Sequence, residues 1–338
     1  MAMVVAQHIP FSEFLISSGD RSIFPSIWDF LFVTGIRWIS VVAVPLFFFI
    51  SGYLFFLNTT WGKETYFKKL KKRFWTLCIP LVCWGVPFLV VKYLAWRQGV
   101  LNYDFFGDYT AFDFVRDAVL GLQDGPFWFI HGLIIACLLS PILFWLIKKF
   151  GIIPVLIFCA WNFYWPVPYK YHFGPEVLLF FSFGAYFSIR QIDFTKFFSA
   201  IRIPAILLYF VVVAANIVSV KMGVAHHGDS FGRSLFVLST LATFFVVGSL
   251  VTLLLEKLPK IRMPKVLSDS TFFVYAAHQL LLPFWGVFVL NRLSYETPLS
   301  VLAAYVGSII FAIAACVLLS IVVRKFAPWS VRFLTGGR

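Results

Sequence analysis

The sequence predicts an all-α fold, a polytopic bundle of transmembrane helices, and three observations carry that prediction. Of the 338 residues, 61% are hydrophobic and 13% charged, with a mean hydropathy of +0.89, against about 45–50% apolar and about 25% charged in soluble domains. Apolar runs of membrane-spanning length recur along the whole chain. Lysine and arginine crowd into alternate connecting segments. Lipid leaves no partner for an open backbone hydrogen bond, and runs of about 17–25 residues match helices and not barrel strands.

The elements follow in chain order. Residues 1–8, "MAMVVAQH", read as half a helix leaving the membrane outward, since the seven residues before His8 make only about 10 Å at 1.5 Å per residue. They lack the basic lead, full apolar stretch and small-residue cleavage site of a signal peptide. Nine full spans are expected at 39–57, 74–91, 126–147, 151–169, 177–189, 203–220, 234–255, 270–291 and 297–323. Run 177–189 needs the preceding "YHFGPE" to reach full length, and run 151–169 carries Asn162, Pro166 and Pro168.

Charge orients these spans. Segments 58–73, 148–150, 190–202, 256–269 and 324–338 hold 19 of the 28 Lys and Arg residues but 4 of the 15 acidic ones. By the positive-inside rule these segments, the C-terminus included, face the cytoplasm. The net charge of +13 is thereby a topology signal, and a nucleic-acid partner is not expected. With short loops, the longest being 92–125 outside, and no internal repeat, residues 1–338 read as one integral membrane domain.

Several chemistries are excluded. The five cysteines, Cys78, Cys83, Cys137, Cys159 and Cys316, lie inside apolar runs as small hydrophobes, without CxxC pairs or metal-ligand spacing. His226 and His227, beside Asp229, read as a solvated outer-loop pair with no third ligand nearby. Phosphate-binding glycine loops and a GxSxG elbow are lacking. No metal and no tightly bound cofactor is expected.

Four stretches carry a specific signal together: "VPLFFFISGYLFF" at 44–56, "KKLKKRFWTLCIPLVCW" at 68–84, "GPFWFIHGLIIACLLSPIL" at 125–143 and "LSDSTFFVYAAHQLLLPF" at 267–284. In this order they resemble the acyltransferase-3 family of bacterial integral membrane acyltransferases, over nearly the whole chain. The resemblance implies ten helices in the bacterial cytoplasmic membrane. It also implies transfer of an acyl group, usually acetyl from acetyl-CoA, to a sugar hydroxyl of a surface polysaccharide, lipid-linked glycan or peptidoglycan. Acyl-CoA would be a donor substrate, and the glycan and the bilayer the other partners.

Family members place an arginine, ten residues, then a histidine in the first helix. "MAMVVAQH" resembles the end of that pattern, which makes His8 the family's histidine and puts the arginine eleven positions before it, ahead of Met1. The expectation is an N-terminally truncated domain lacking the first half of helix 1, its activity in question without that arginine. A thioester is already activated, so the protein must add a base for the hydroxyl, a dry pocket and oxyanion donors. Neutral imidazole, with a pKa of about 6.5 when unperturbed, suits the base. The alternative for His8 is an interfacial histidine at a helix end.

The basic turn Lys68, Lys69, Lys71, Lys72 and Arg73 reads either as a positive-inside anchor or as the group that captures the phosphates of CoA, with Lys69, Lys72 and Arg73 the candidate contacts. Thr76 stands where many family members carry the second arginine of an RxxR pair. Candidate substrate contacts are Arg37, Trp128, His131, Tyr275 and His278. Of these, Arg37 also reads as a snorkelling cation, and Trp128 and Tyr275 as packing or belt aromatics. His131 is expected near the outer face and His278 about 12 Å in from the cytoplasmic face. Two other classes remain open: a glycan or lipid transporter, against which stands the lack of Asp and Glu in the apolar runs, and a non-catalytic membrane partner.

Overall fold

The computed structural model describes residues 1–9, 39–98, 106–120, 125–164, 174–222, 230–260, 262–289, 292 and 298–337, and among them every regular element is a helix. Helix α1 (Ala2–Gln7) has six residues. After it come α2 (Ala43–Phe56), α3 (Lys63–Arg73), a π-helical turn at Phe74–Cys78, and α4 (Ile79–Arg97).

The basic segment, expected as a turn, is instead helix α3, continuous with α4 in one stretch of 35 residues, Lys63–Arg97. Its sequence explains this. "KETYFKKLKKR" is rich in helix formers, with Glu64 in the first turn and Lys71, Lys72 and Arg73 in the last, which is the charge order a helix dipole favours. The π turn widens the helix just ahead of Pro80, whose ring would otherwise crowd the carbonyl four residues back.

Next are α5 (Ala111–Leu120), α6 (Trp128–Leu138) and α7 (Ser140–Phe150). The expected single span 126–147 is thus two helices, bent by 61° where Pro141 withholds a backbone donor. Helix α8 (Ile153–Tyr164) covers the first part of the run expected over 151–169, the rest of which lies outside the described residues. Helices α9 (Pro175–Ile189) and α10 (Phe194–Ala200) meet at 113°. Asp193 starts α10 by accepting from the amides of Thr195 at 2.9 Å and Lys196 at 3.1 Å, a side-chain N-cap.

The chain closes with α11 (Arg202–Lys221), α12 (Ser230–Lys257), α13 (Lys265–Phe288), α14 (Pro298–Phe326) and α15 (Pro328–Thr335). Among the described residues, five helical stretches are long and apolar enough to cross a membrane alone, or up to seven if each bent pair is one span. The other two expected spans, 151–169 and 270–291, each extend onto residues outside the described ones.

Glycines set the closest packing. A Cβ at Gly52 would lie 2.0 Å from the Phe181 carbonyl oxygen, and one at Gly184 would lie 1.9 Å from that of Phe49. Helices α2 and α9 therefore touch backbone to backbone through reciprocal glycines, as small residues allow in membrane bundles. Around them Phe49, Phe183, Phe187, Phe198 and Phe244 pack with ring centroids 5.0–6.4 Å apart. Helix α15 docks on α4, the Trp84 indole donating to the Leu334 carbonyl at 2.9 Å.

Candidate functional site

Helix α1 is anchored before it delivers its histidine. Val4, Val5 and Ala6 are buried, and the Tyr305 hydroxyl of α14 donates to the Ala6 carbonyl at 3.0 Å. That carbonyl is one of the last in α1, where intrahelical partners run out. His8 is the C-cap, its amide donating to the Val5 carbonyl at 3.0 Å. A short helix held at both its side and its end fixes the direction in which His8 leaves it.

His8 meets α13. Its Nδ1 lies 2.7 Å from Nε2 of Gln279, and its ring centroid lies 5.2 Å from that of His278, the planes at 47°. His278 is fully buried. Its Nδ1 is 2.9 Å from the Val274 carbonyl oxygen. A carbonyl only accepts, so Nδ1 carries the proton and Nε2 keeps a lone pair. That Nε2 is buried and has no hydrogen-bond partner among the described residues. An unmade bond of this kind costs about 1–3 kcal/mol and calls for an explanation. Two imidazoles thus lie side by side in an apolar bundle, the Nε2 of one without a hydrogen-bond partner among the described residues.

Tyr275, one turn from Gln279 on α13, is buried, donates its hydroxyl to the Pro126 carbonyl and packs its ring 5.9 Å from Phe129. It ties α13 to the entry of α6, and its hydroxyl is engaged by the protein. Trp128 packs at 6.4 Å from Phe48, and the Nε2 of His131 meets the Leu120 carbonyl at the end of α5. These three sequence candidates thus sit in the packing of α2, α5, α6 and α13, while His8 and His278 are brought together. Gln279 was missed by sequence reasoning, although it directly follows His278 in "YAAHQ".

The cations of α3 gather at the end of α2. Lys69 donates to the Phe55 carbonyl and lies 5.2 Å from that ring, over which Arg73 also sits at 5.7 Å. Lysine and arginine at the last carbonyls of a helix complement its dipole. Lys72 is exposed. The hydroxyl oxygen of Thr76 is buried without a hydrogen bond, and a Cβ at Gly336 would lie 2.6 Å from Thr76 Cα. The end of the chain therefore covers the position where an RxxR pair would have its second arginine. Arg37, His226 and His227 lie outside the described residues.

Residues 1–321 match the family model of the acyltransferase domain of the acyltransferase-3 type. The chain belongs to this family. It is a multi-pass membrane acyltransferase. One relative, the succinoglycan biosynthesis protein ExoH of Rhizobium meliloti (strain 1021), is 28% identical over 310 residues, covering 88% of this chain and 79% of that protein. No solved structure matches the chain. In this family member His8 stands beside His278 and Gln279.

Proposed function

We propose that this chain transfers an acyl group, in the simplest case acetyl, from acyl-CoA to a hydroxyl of a cell-surface polysaccharide or lipid-linked glycan. The observation that carries the reading is the buried imidazole pair, with the bare Nε2 of His278 beside His8. The name of the relative ExoH points to a polysaccharide as the acceptor class.

In this reading His8 takes the proton of the sugar hydroxyl as its oxygen bonds to the thioester carbonyl carbon. The C–S bond then breaks and the thiolate of CoA takes the proton from the imidazolium. His278, through its Nε2 lone pair, accepts a hydrogen bond from the sugar and orients it. Lys69, Lys72 and Arg73 hold the donor's phosphates at the cytoplasmic face, Lys72 being free of the Phe55 contact that engages the other two. The protein sits in the bacterial cytoplasmic membrane with its C-terminus inside, as the distribution of lysine and arginine supports.

The test is acetyl transfer from labelled acetyl-CoA in membranes containing the chain, with chemically de-esterified succinoglycan as the first acceptor. His8→Ala is expected to lower transfer by about 10²–10⁴-fold, the usual worth of a general base, without lowering membrane yield. Transfer within a few-fold of the parent in that variant would refute the role of His8. Donor-independent glycan movement across vesicles by the same chain would favour a transporter.

A further inference from the structure

The second nitrogen of His8 decides whether the ring can serve as a base at all. This step rests on the reading of His8 as the base. A carboxamide presents a donor nitrogen and an acceptor oxygen of nearly equal shape, so Gln279 can meet Nδ1 with either. If the amide N–H donates, the proton of neutral His8 sits on Nε2 and no lone pair faces the substrate. If Nδ1–H donates to the amide oxygen, Nε2 is bare and basic. The neighbouring ring uses the second arrangement, Nδ1–H of His278 donating to the Val274 carbonyl, and it is the usual device for orienting a working histidine.

We propose that Gln279 is a positioning residue that holds the proton of His8 on Nδ1 through its amide oxygen, leaving Nε2 to accept the proton of the sugar hydroxyl. Both ends of the bond stand on fixed elements: α1 through Tyr305 and Ala6, and α13 through Tyr275 and Pro126. The amide oxygen keeps its bond to Nδ1–H throughout the cycle. Nε2 gains the hydroxyl proton as the O–C bond forms, and returns it to the thiolate sulfur as the C–S bond breaks.

Among the described residues, the titratable groups around His8 are His278 of α13, the amino group of Met1 and the phenol of Tyr305 on α14. Helices α2 and α14 carry no Asp or Glu, and α13 has only Asp269, nine residues before His278, about 14 Å along the helix. Among the described residues, the neutral carboxamide of Gln279 is thus the group within reach of Nδ1.

The experiment compares Gln279→Leu, Gln279→Glu and His8→Ala in the full chain, in membranes, with acetyl-CoA and de-esterified succinoglycan. Gln279→Leu should lower kcat by about 10–100-fold, the usual effect of losing a histidine's orienting partner, with KM for acetyl-CoA little changed. Gln279→Glu replaces the amide by a group that only accepts. It should retain kcat within a few-fold and move the acidic limb of the pH–rate profile to higher pH, because the carboxylate also favours the imidazolium. A purely structural glutamine would lower yield without moving that limb.

Gln279→Glu as inactive as Gln279→Leu would overturn the proposal, since the amide N–H would then be the required partner. So would full activity in Gln279→Leu. Activity in His8→Ala would instead defeat the reading of His8 as base. Should Gln279→Leu not accumulate, the activity and pH limb of the isosteric Gln279→Glu decide alone.

Discussion

Replacing His278 by phenylalanine separates a functional histidine from one that serves the fold. The ring is fully buried, makes one hydrogen bond to the Val274 carbonyl, and leaves Nε2 without a partner among the described residues. Phenylalanine fills nearly the same space and removes both. Loss of the Val274 bond forfeits about 0.5–1.5 kcal/mol, while removal of the unpartnered nitrogen recovers about 1–3 kcal/mol. The Val274 carbonyl still accepts from its own helical ladder, so little is left unsatisfied there. His278→Phe should therefore unfold at the same temperature as the parent or higher, while acyl transfer falls by at least about tenfold. His278→Ala, by contrast, leaves a cavity and should be destabilised by several kcal/mol, about 3–5 for an aromatic truncation. The assay is thermal unfolding in detergent, followed by labelling of the buried Cys137 and Cys316, beside acetyl transfer on the same samples. A lower unfolding temperature in His278→Phe, with transfer intact, would show that the imidazole serves packing, and the acid–base centre would lose one of its two rings.

Three further outcomes follow from the geometry. Gly184→Ala would place a methyl carbon 1.9 Å from the Phe49 carbonyl oxygen, so α2 and α9 must separate, lowering stability by at least about 1–3 kcal/mol; thermal unfolding of Gly184→Ala, with Gly62→Ala as a control in open space, checks this. Lys72→Gln, at an exposed position, should raise KM for acetyl-CoA and flatten its salt dependence without changing the unfolding temperature, whereas an unchanged KM would leave the α3 cations as an anchor of α2. Asp193→Ala removes the two-amide N-cap of α10 and should destabilise by about 1 kcal/mol, read as a small fall in unfolding temperature at full specific activity.

Much of this architecture is legible in the sequence because hydropathy and charge act over tens of residues. The apolar runs at 39–57, 203–220, 234–255 and 297–323 coincide with α2, α11, α12 and α14, where composition alone decides. What composition misreads are the breaks, which depend on single residues. Pro141 divides one apolar run into two helices at 61°, and Asp193 caps a new helix after the turn that follows α9. In the opposite sense, the charged run 58–73 carries the signature of a cytoplasmic connection while its helix formers extend α4 backward through the π turn. Charge reports the side of the membrane, and helix propensity reports the backbone.

The candidate site was half legible for a related reason. His8 and His278 stand out because titratable residues in apolar runs are expensive and so seldom accidental, but 270 positions separate them, and only the seating of α1 between α13 and α14 makes them a pair. Trp128, Tyr275 and His131 share the same motifs, yet their polar atoms or rings are engaged by protein partners at Phe48, Pro126 and Leu120. What sets His278 apart is its neighbour, the His8 ring at a centroid distance of 5.2 Å, and not the residue type. Tyr275 spends its hydroxyl on a carbonyl that locks α13 in place, and His278 keeps a buried nitrogen bare at a position that this lock holds still. Rigid support beside an unsatisfied group is the arrangement a preorganised acyl-transfer centre requires, and it places the two tyrosine ties, Tyr275 to Pro126 and Tyr305 to Ala6, among the residues on which the geometry of His8 depends.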